Sequence, residues 1–375
     1  MKTKGAILWK PGTEWSVEEI EIGDPKQGEV TVELAASGLC HSDEHLLTGA
    51  TPVPFYPVLG GHEGAGIVVK VGPGVTGLQE GDHIVTAFIP ACGRCVPCSN
   101  GHQNLCDLGA NLLTGQSISD GSYRVSVRGQ DVIPMCLLGT FSPYITVHEA
   151  SVVKIDPSLP LDVAALVGCG VTTGWGSAVR AAGVRAGETV VIMGAGGVGM
   201  NAVQGAAASG ARHVVVIDPV EAKRTWSLDF GATHVFASVA DALEGLTDLT
   251  YGRLAEKVVI AVGEIHGEHV GQALSLAGKS GRVVVTGMGN AMDSDVKLGL
   301  FELTALEKEV RGSLFGSANP RAEIPALLEL YREGKLNLDG LVTTRYRLDQ
   351  VNQGYQDMRD GVNIRGLITY TDADR

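Results

Sequence analysis

The sequence predicts an α/β protein built from a doubly wound parallel sheet and a barrel-like β domain. Three observations predict it. Near Pro160 the apolar pattern changes from short strands and turns to strands alternating with helices. The strands after that point are continuously apolar, as parallel strands covered on both faces are. One of them runs directly into Gly194-Ala195-Gly196-Gly197-Val198-Gly199, which opens a helix.

The elements follow in order. Residues 29–34 alternate with period two and read as a strand. Residues 64–71 form a second strand that meets the turn Gly72-Pro73-Gly74, and residues 83–88 a third. Residues 107–140 are Gly-rich and weakly patterned, and read as a long loop over a partner or pocket. Residues 161–180 carry small and apolar residues at helical spacing. Strands are expected at 189–193, 213–217, 257–261 and 282–286, with helices at 199–209 and 223–230. A helix at 321–333 and a strand at 364–370 close the chain. There is no internal repeat and no low-complexity segment.

At 375 residues the chain is long enough for two domains with a large core. No apolar run approaches the length of a membrane span. The opening MKTKGAILWKPGTEW has no apolar signal core, so a cytoplasmic protein is expected. A net charge of −13 argues against nucleic acid and anionic membrane as partners, because both demand basic surface.

Six of the seven cysteines carry the chemistry. Cys92, Cys95, Cys98 and Cys106 stand in a C-x2-C-x2-C-x7-C run. Four thiolates that close can enclose one tetrahedral zinc with no open position, which is a structural site in a lobe of about residues 90–108. The plainer alternative is a pair of disulfides, which a reducing compartment disfavours. Cys40 and Cys169 lie outside the run, with His62 between them. Three ligands and one open position would make a second zinc catalytic. Cys136 is left over as a small packed side chain.

The glycine segment matches G-x-G-x-x-G, and Asp218 ends the next strand nineteen residues past Gly199. That is a Rossmann dinucleotide-binding arrangement. Gly194 permits the turn, Gly196 lets a pyrophosphate approach the backbone, and Gly199 lets helix and strand pack. The helix start, including the amides of Gly197 and Val198, faces the phosphates. Asp218 would bond the ribose hydroxyls and repel a 2′-phosphate, so NAD(H) is favoured over its phosphorylated form. Pro219 follows, and no arginine is adjacent in sequence. A plain glycine turn between strand and helix is the alternative.

Taken together these residues resemble the zinc-dependent medium-chain alcohol dehydrogenases over the whole chain. The shared pieces are Cys40 with Asp43, GGHEGAG at 60–66, the four-cysteine lobe, Gly168-Cys169-Gly170, GAGGVG and Asp218. Within that family, GLCHSDEHLLTG, PACGRCVPCSNGHQNLCDLGA, GCGVTTGWGSAV and GSLFGSANPRAEIP resemble the actinobacterial nicotinoprotein branch, which depends on N,N-dimethyl-4-nitrosoaniline in assay. The resemblance implies a GroES-like catalytic domain from residues 1–170 and 315–375 and an NAD-binding domain from 171–314. It also implies retained NAD(H), reoxidised by an external electron acceptor.

The resemblance further assigns roles. Cys40, His62 and Cys169 would hold catalytic zinc, with Glu63 reaching the metal transiently. Asp43 would accept the second imidazole hydrogen of His62. Ser42 would take the alcohol proton and His45 would pass it to solvent. The plainer readings are a turn cap for Ser42 and a surface residue for His45. Thr173 and Val198 match positions against the nicotinamide, Lys223 would reach the adenosine ribose, and Arg365 the pyrophosphate. His41 stands where some relatives have arginine, and imidazole lacks that fork and fixed charge. Phe88 and Leu138 are equally pocket or core.

The expected activity is oxidation of a primary alcohol, or reduction of its aldehyde, with two zinc ions per chain. Aldehyde dismutation and thiol-dependent formaldehyde oxidation are close alternatives. A non-catalytic zinc or redox sensor is a remote one, since all three open-site ligands persist. Residues 310–315 resemble a sheet edge that continues into a second copy, giving a homodimer or homotetramer.

Overall fold

Strand Glu29–Gly38 organises the first of two compact units, which comprises Met1–Cys169 and Asn319–Arg375. Eight of its ten positions are buried, because both faces and both edges are used. Gly64–Val71 pairs antiparallel along one edge; Tyr144–His148 and Arg365–Thr369 share the other. The computed structural model describes residues 1–375. Seven strands belong to this sheet, and six form a second: Gln130–Asp131, Val125–Val127, Ser16–Ile22, Lys2–Leu8, Val58–Leu59 and Ile133–Pro134. Together they wrap one apolar core, including Ile7, Leu34, Leu59, Phe141 and Tyr355, as a nearly closed barrel-like unit.

The second unit, Gly170–Ala318, holds a six-stranded parallel sheet. Its order is His234–Phe236, His213–Ile217, Thr189–Met193, Ala255–Ile260, Ala277–Val285 and Glu309–Gly312. Numbered along the chain this is 3-2-1-4-5-6, the doubly wound dinucleotide-fold order. Every residue of Thr189–Met193 is buried, which is why the strand reads as uninterrupted apolar sequence.

Two expectations need correction. Residues 107–140 are not one loop. They contain the 3-10 turn Asp107–Asn111, the strands Val125–Val127, Gln130–Asp131 and Ile133–Pro134, and the 3-10 turn Met135–Leu137. Strands of two or three residues are too short to show a period. The segment is pinned instead by one buried carboxylate: Glu29 takes Arg124 Nε at 2.7 Å and Nη2 at 2.8 Å, and the Ser119 hydroxyl at 2.6 Å. Residues 161–180 are also not one helix. Leu161–Ala164, the 3-10 turn Ala165–Gly168, Gly170–Gly176 and the π-turn Ser177–Ala182 succeed one another. The break falls at Cys169, at φ −147° and ψ −75°. No helix is long and apolar enough to cross a membrane.

Candidate active site

Cys40 caps the start of helix His41–Thr48 in extended conformation. His62 and Glu63 lead into strand Gly64–Val71, and Cys169 stands at the helix break. All four side chains are buried, and their ligand atoms lie within 4.8 Å of one another. The backbone is shaped for this. A Cβ on Gly38 would lie 2.0 Å from Glu63 Oε2, so only glycine leaves room for that carboxylate.

Asp43 holds His62 in place. Its Oδ2 lies 3.1 Å from His62 Nδ1, and its Oδ1 accepts the Gly61 N–H at 2.7 Å. With Nδ1 engaged, Nε2 is the nitrogen left for a ligand bond. The Phe88 ring meets the imidazole edge to face, with centroids 5.8 Å apart. Leu138 is 2% exposed and belongs to the apolar core. Arg365, also buried, pairs with Glu63, and its Nε has no partner.

The thiols are electrostatically unequal. A hydrogen bond from Cys169 lowers the Cys40 pKa well below its ordinary value; the same bond raises Cys169. Ionisation of one thiol therefore opposes ionisation of the other. Burial works against charge on His62, but the Asp43 carboxylate and Cys40 hold its pKa well above ordinary. Two sulfurs, an imidazole with a fixed tautomer and a carboxylate, all dry, fit a divalent zinc that displaces those protons.

Ser42 and His45 share the helix with Cys40. The Cys40 thiol donates to Ser42 Oγ at 3.7 Å, which sets that hydroxyl beside the cluster. His45 is buried, not a surface residue. Three residues apart, the two lie on one helix face. His41 is exposed at the helix start.

The four-cysteine lobe is equally specific. Cys92 Sγ lies 4.0 Å from Cys98 Sγ, and Cys95 Sγ 3.8 Å from Cys106 Sγ. A tetrahedron of about 2.3 Å zinc–sulfur bonds has edges of about 3.8 Å. All seven cysteines are free thiols, so the disulfide alternative fails. Burial opposes ionisation of Cys92, but the Arg94 and Cys95 N–H groups outweigh it and bring its pKa to about 6. Burial pushes Cys106 up to about 12.

In the parallel-sheet unit, Gly194 adopts φ +95° where the chain leaves strand Thr189–Met193. A Cβ on Gly199 would stand 1.8 Å from the Gly194 carbonyl oxygen. Gly196 caps helix Gly197–Ala208, and a Cβ there would meet nothing within 4 Å. The start of that helix, with Gly197 and Val198, has no side-chain cap and is open to an anion. Asp218 ties the neighbouring turn: Oδ2 accepts Ala195 N–H at 2.8 Å and Oδ1 accepts Val220 N–H at 2.9 Å. Lys223 stands in the first turn of helix Glu221–Asp229.

Thr173 is buried, and a Cβ on Gly174 would lie 2.0 Å from Val198 O, so its helix packs directly on the glycine turn. The reading from sequence missed what supports Thr173. Thr286 donates to Ser177 Oγ at 2.9 Å, and Ser177 donates to Thr173 O at 2.6 Å. It also missed Arg224, which folds back on Asp218. A signal existed: Arg224 lies one helical turn inside the helix that follows Asp218.

Comparison with known proteins matches both units. Residues 26–157 match the alcohol dehydrogenase GroES-like domain, and residues 197–333 the zinc-binding dehydrogenase domain. The chain is 57% identical over 375 residues to alcohol dehydrogenase B of Mycobacterium tuberculosis, covering all of both chains. It is 51% identical over 371 residues to the NDMA-dependent alcohol dehydrogenase of Amycolatopsis methanolica, covering 99% of this chain and 100% of that one. The benzyl alcohol dehydrogenase of Acinetobacter calcoaceticus superposes with a TM-score of 0.91 at 29% identity, covering 99% of this chain and 100% of that one. Relatives matched end to end, and domain models on both units, lead to one conclusion: the chain belongs to the zinc-dependent medium-chain alcohol dehydrogenases.

Proposed function

We propose that this alcohol dehydrogenase oxidises a primary alcohol with NAD(H), keeps the dinucleotide bound, and returns its electrons to an external acceptor. The observation that carries the chemistry is the buried Cys40, His62, Glu63 and Cys169 cluster with Asp43 behind it. The likeness to an NDMA-dependent enzyme at 51% identity supports retained cofactor.

Cys40, His62 and Cys169 would hold a zinc ion that polarises the alcohol oxygen, and the four-cysteine lobe would hold a second, structural one. Bound NAD⁺ would supply the hydride acceptor, and the alcohol proton would pass to the chain's own groups. Ser42 takes that proton and His45, on the same helix face, passes it outward. Asp43 keeps the imidazole tautomer fixed. Arg365 neutralises Glu63, which would otherwise be a bare buried carboxylate. Asp218 and the amides of the glycine turn receive the dinucleotide, with Thr173, Val198 and Lys223 as further contacts. His41 and Arg365 are the candidates for its pyrophosphate by family resemblance.

The unit Gly170–Ala318 ends its sheet on Glu309–Gly312, which pairs on one side only. Leu300 is 72% and Phe301 86% exposed, in the helix preceding that strand. A second copy that continues the sheet would cover an otherwise open edge. A homodimer is therefore part of the proposal.

Exhaustive desalting followed by absorbance and elemental analysis tests the reading. The expected result is retained dinucleotide and two zinc ions per chain. A zinc-free, dinucleotide-free protein that still oxidises alcohols would overturn it.

A further inference from the structure

We propose that Arg224 is a latent receptor for a 2′-phosphate, held at the dinucleotide turn and masked by the Asp218 carboxylate. The inference rests on the reading of this turn as the dinucleotide site.

Two charges of opposite sign are anchored at one turn. Asp218 is 6% exposed, and both its oxygens are fixed by backbone N–H groups. Its charge therefore cannot swing away from a ligand. Arg224 is half-buried on helix Glu221–Asp229. Its Nη1 donates to Asp218 O at 2.7 Å and to Pro219 O at 2.9 Å. The guanidinium is thus docked on the peptide carrying the carboxylate that faces the ribose. Those two bonds use Nη1 only, and the fork has further donors on Nε and Nη2.

A planar guanidinium with unspent donors is what binds a phosphate in two-point fashion. Here it sits beside a carboxylate, which repels the same phosphate. The carboxylate wins because it is the group aimed at the ribose hydroxyls. In its resting role Arg224 clamps the Asp218–Pro219 carbonyls. With the carboxylate gone, the same side chain becomes the phosphate receptor.

The test uses the full-length protein after exchange of any bound dinucleotide, titrated calorimetrically with 5′-AMP and 2′,5′-ADP. The wild type is expected to prefer 5′-AMP. Asp218→Ser, which keeps a short acceptor for the backbone N–H groups, is expected to shift the affinity ratio toward 2′,5′-ADP by about 10- to 100-fold, the scale of a hydrogen bond to a charged group. Adding Arg224→Gln should remove most of that shift, and Arg224→Lys should restore part of it. A shift that is equally large without Arg224 overturns the proposal, as does no shift in Asp218→Ser. If Asp218→Ser does not fold, Asp218→Asn carries the same comparison. Failure of wild-type protein to bind either nucleotide would instead overturn the dinucleotide reading itself.

Discussion

Asp43 Oδ2 lies 3.1 Å from His62 Nδ1, with both side chains buried, so one carboxylate decides which imidazole nitrogen faces the cysteines. Asp43→Asn keeps the shape but removes the charge. Zinc affinity at the Cys40–His62–Cys169 cluster is expected to fall about 10- to 100-fold. Competition with a chromogenic chelator measures it. Unchanged metal affinity would show that Asp43 serves only the Gly61 N–H.

The two cysteine sites should fail differently. Cys106→Ser opens a lobe whose helical parts are short turns, Val96–Ser99, Gln103–Leu105 and the start of Asp107–Asn111. It is expected to lower thermal stability, by roughly 2–4 °C for each kcal/mol lost. Cys40→Ser should leave the melting temperature closer to wild type and abolish turnover. Equal melting losses in both variants would contradict this division.

Ser42→Ala should cut the rate of single-turnover reduction of bound NAD⁺ by about 100- to 10,000-fold, the usual worth of a positioned acid–base group. Zinc content should not change. His45→Gln should cost less, because water can partly replace a terminal relay group. A wild-type single-turnover rate in Ser42→Ala would remove Ser42 from the proton path.

Glu29 makes stability sensitive to acid. Burial raises its pKa, but Arg124, Ser117 and Ser119 outweigh burial and hold it below the ordinary 4.5. A lowered folded-state pKa contributes stability that is full above the unfolded value. That contribution is lost as pH falls through the folded one. Wild-type stability should therefore decline below about pH 4.5. Glu29→Gln should flatten that decline and lower stability at neutral pH, because Arg124 loses its two-point partner and keeps only the Asp120 carboxylate and serine hydroxyls. Urea titrations between neutrality and acid check both.

Four strands of the parallel sheet were legible, two of them to the residue, whereas the three-residue strand His234–Phe236 was too short to show a pattern. Thr189–Met193 and His213–Ile217 have the bounds that their apolar runs suggested, because a strand buried on both faces has no polar interruption. The metal cysteines were legible because ligand chemistry restricts residue type and spacing. Arg124 was not. Its partner Glu29 lies 95 residues earlier, and arginine on a surface pattern carries no mark of where its fork will land. The π-turn Ser177–Ala182 was hidden for a related reason: its shifted register is tied to the Thr286 hydroxyl, more than a hundred residues later. The Glu63–Arg365 pair spans 302 residues and shows no local signal at all.

The unit Gly170–Ala318 is one unbroken stretch of chain, whereas the other is assembled from two. During synthesis this imposes a timetable. The cysteine lobe closes within about fifteen residues, so its sulfurs gather as soon as they leave the ribosome. Strand Glu29–Gly38 must wait for Arg365–Thr369, and Glu63 must wait for its arginine. At about 5–20 residues per second that interval is roughly 15–65 s. The intervening unit can fold meanwhile on its own contiguous sequence. A nascent chain cut short before residue 365 carries a lobe ready for metal but a reactive cluster with an uncompensated carboxylate. The order of synthesis is thus also the order in which the two cysteine clusters can be completed, the lobe first and the cluster that contains Glu63 only with the last strand.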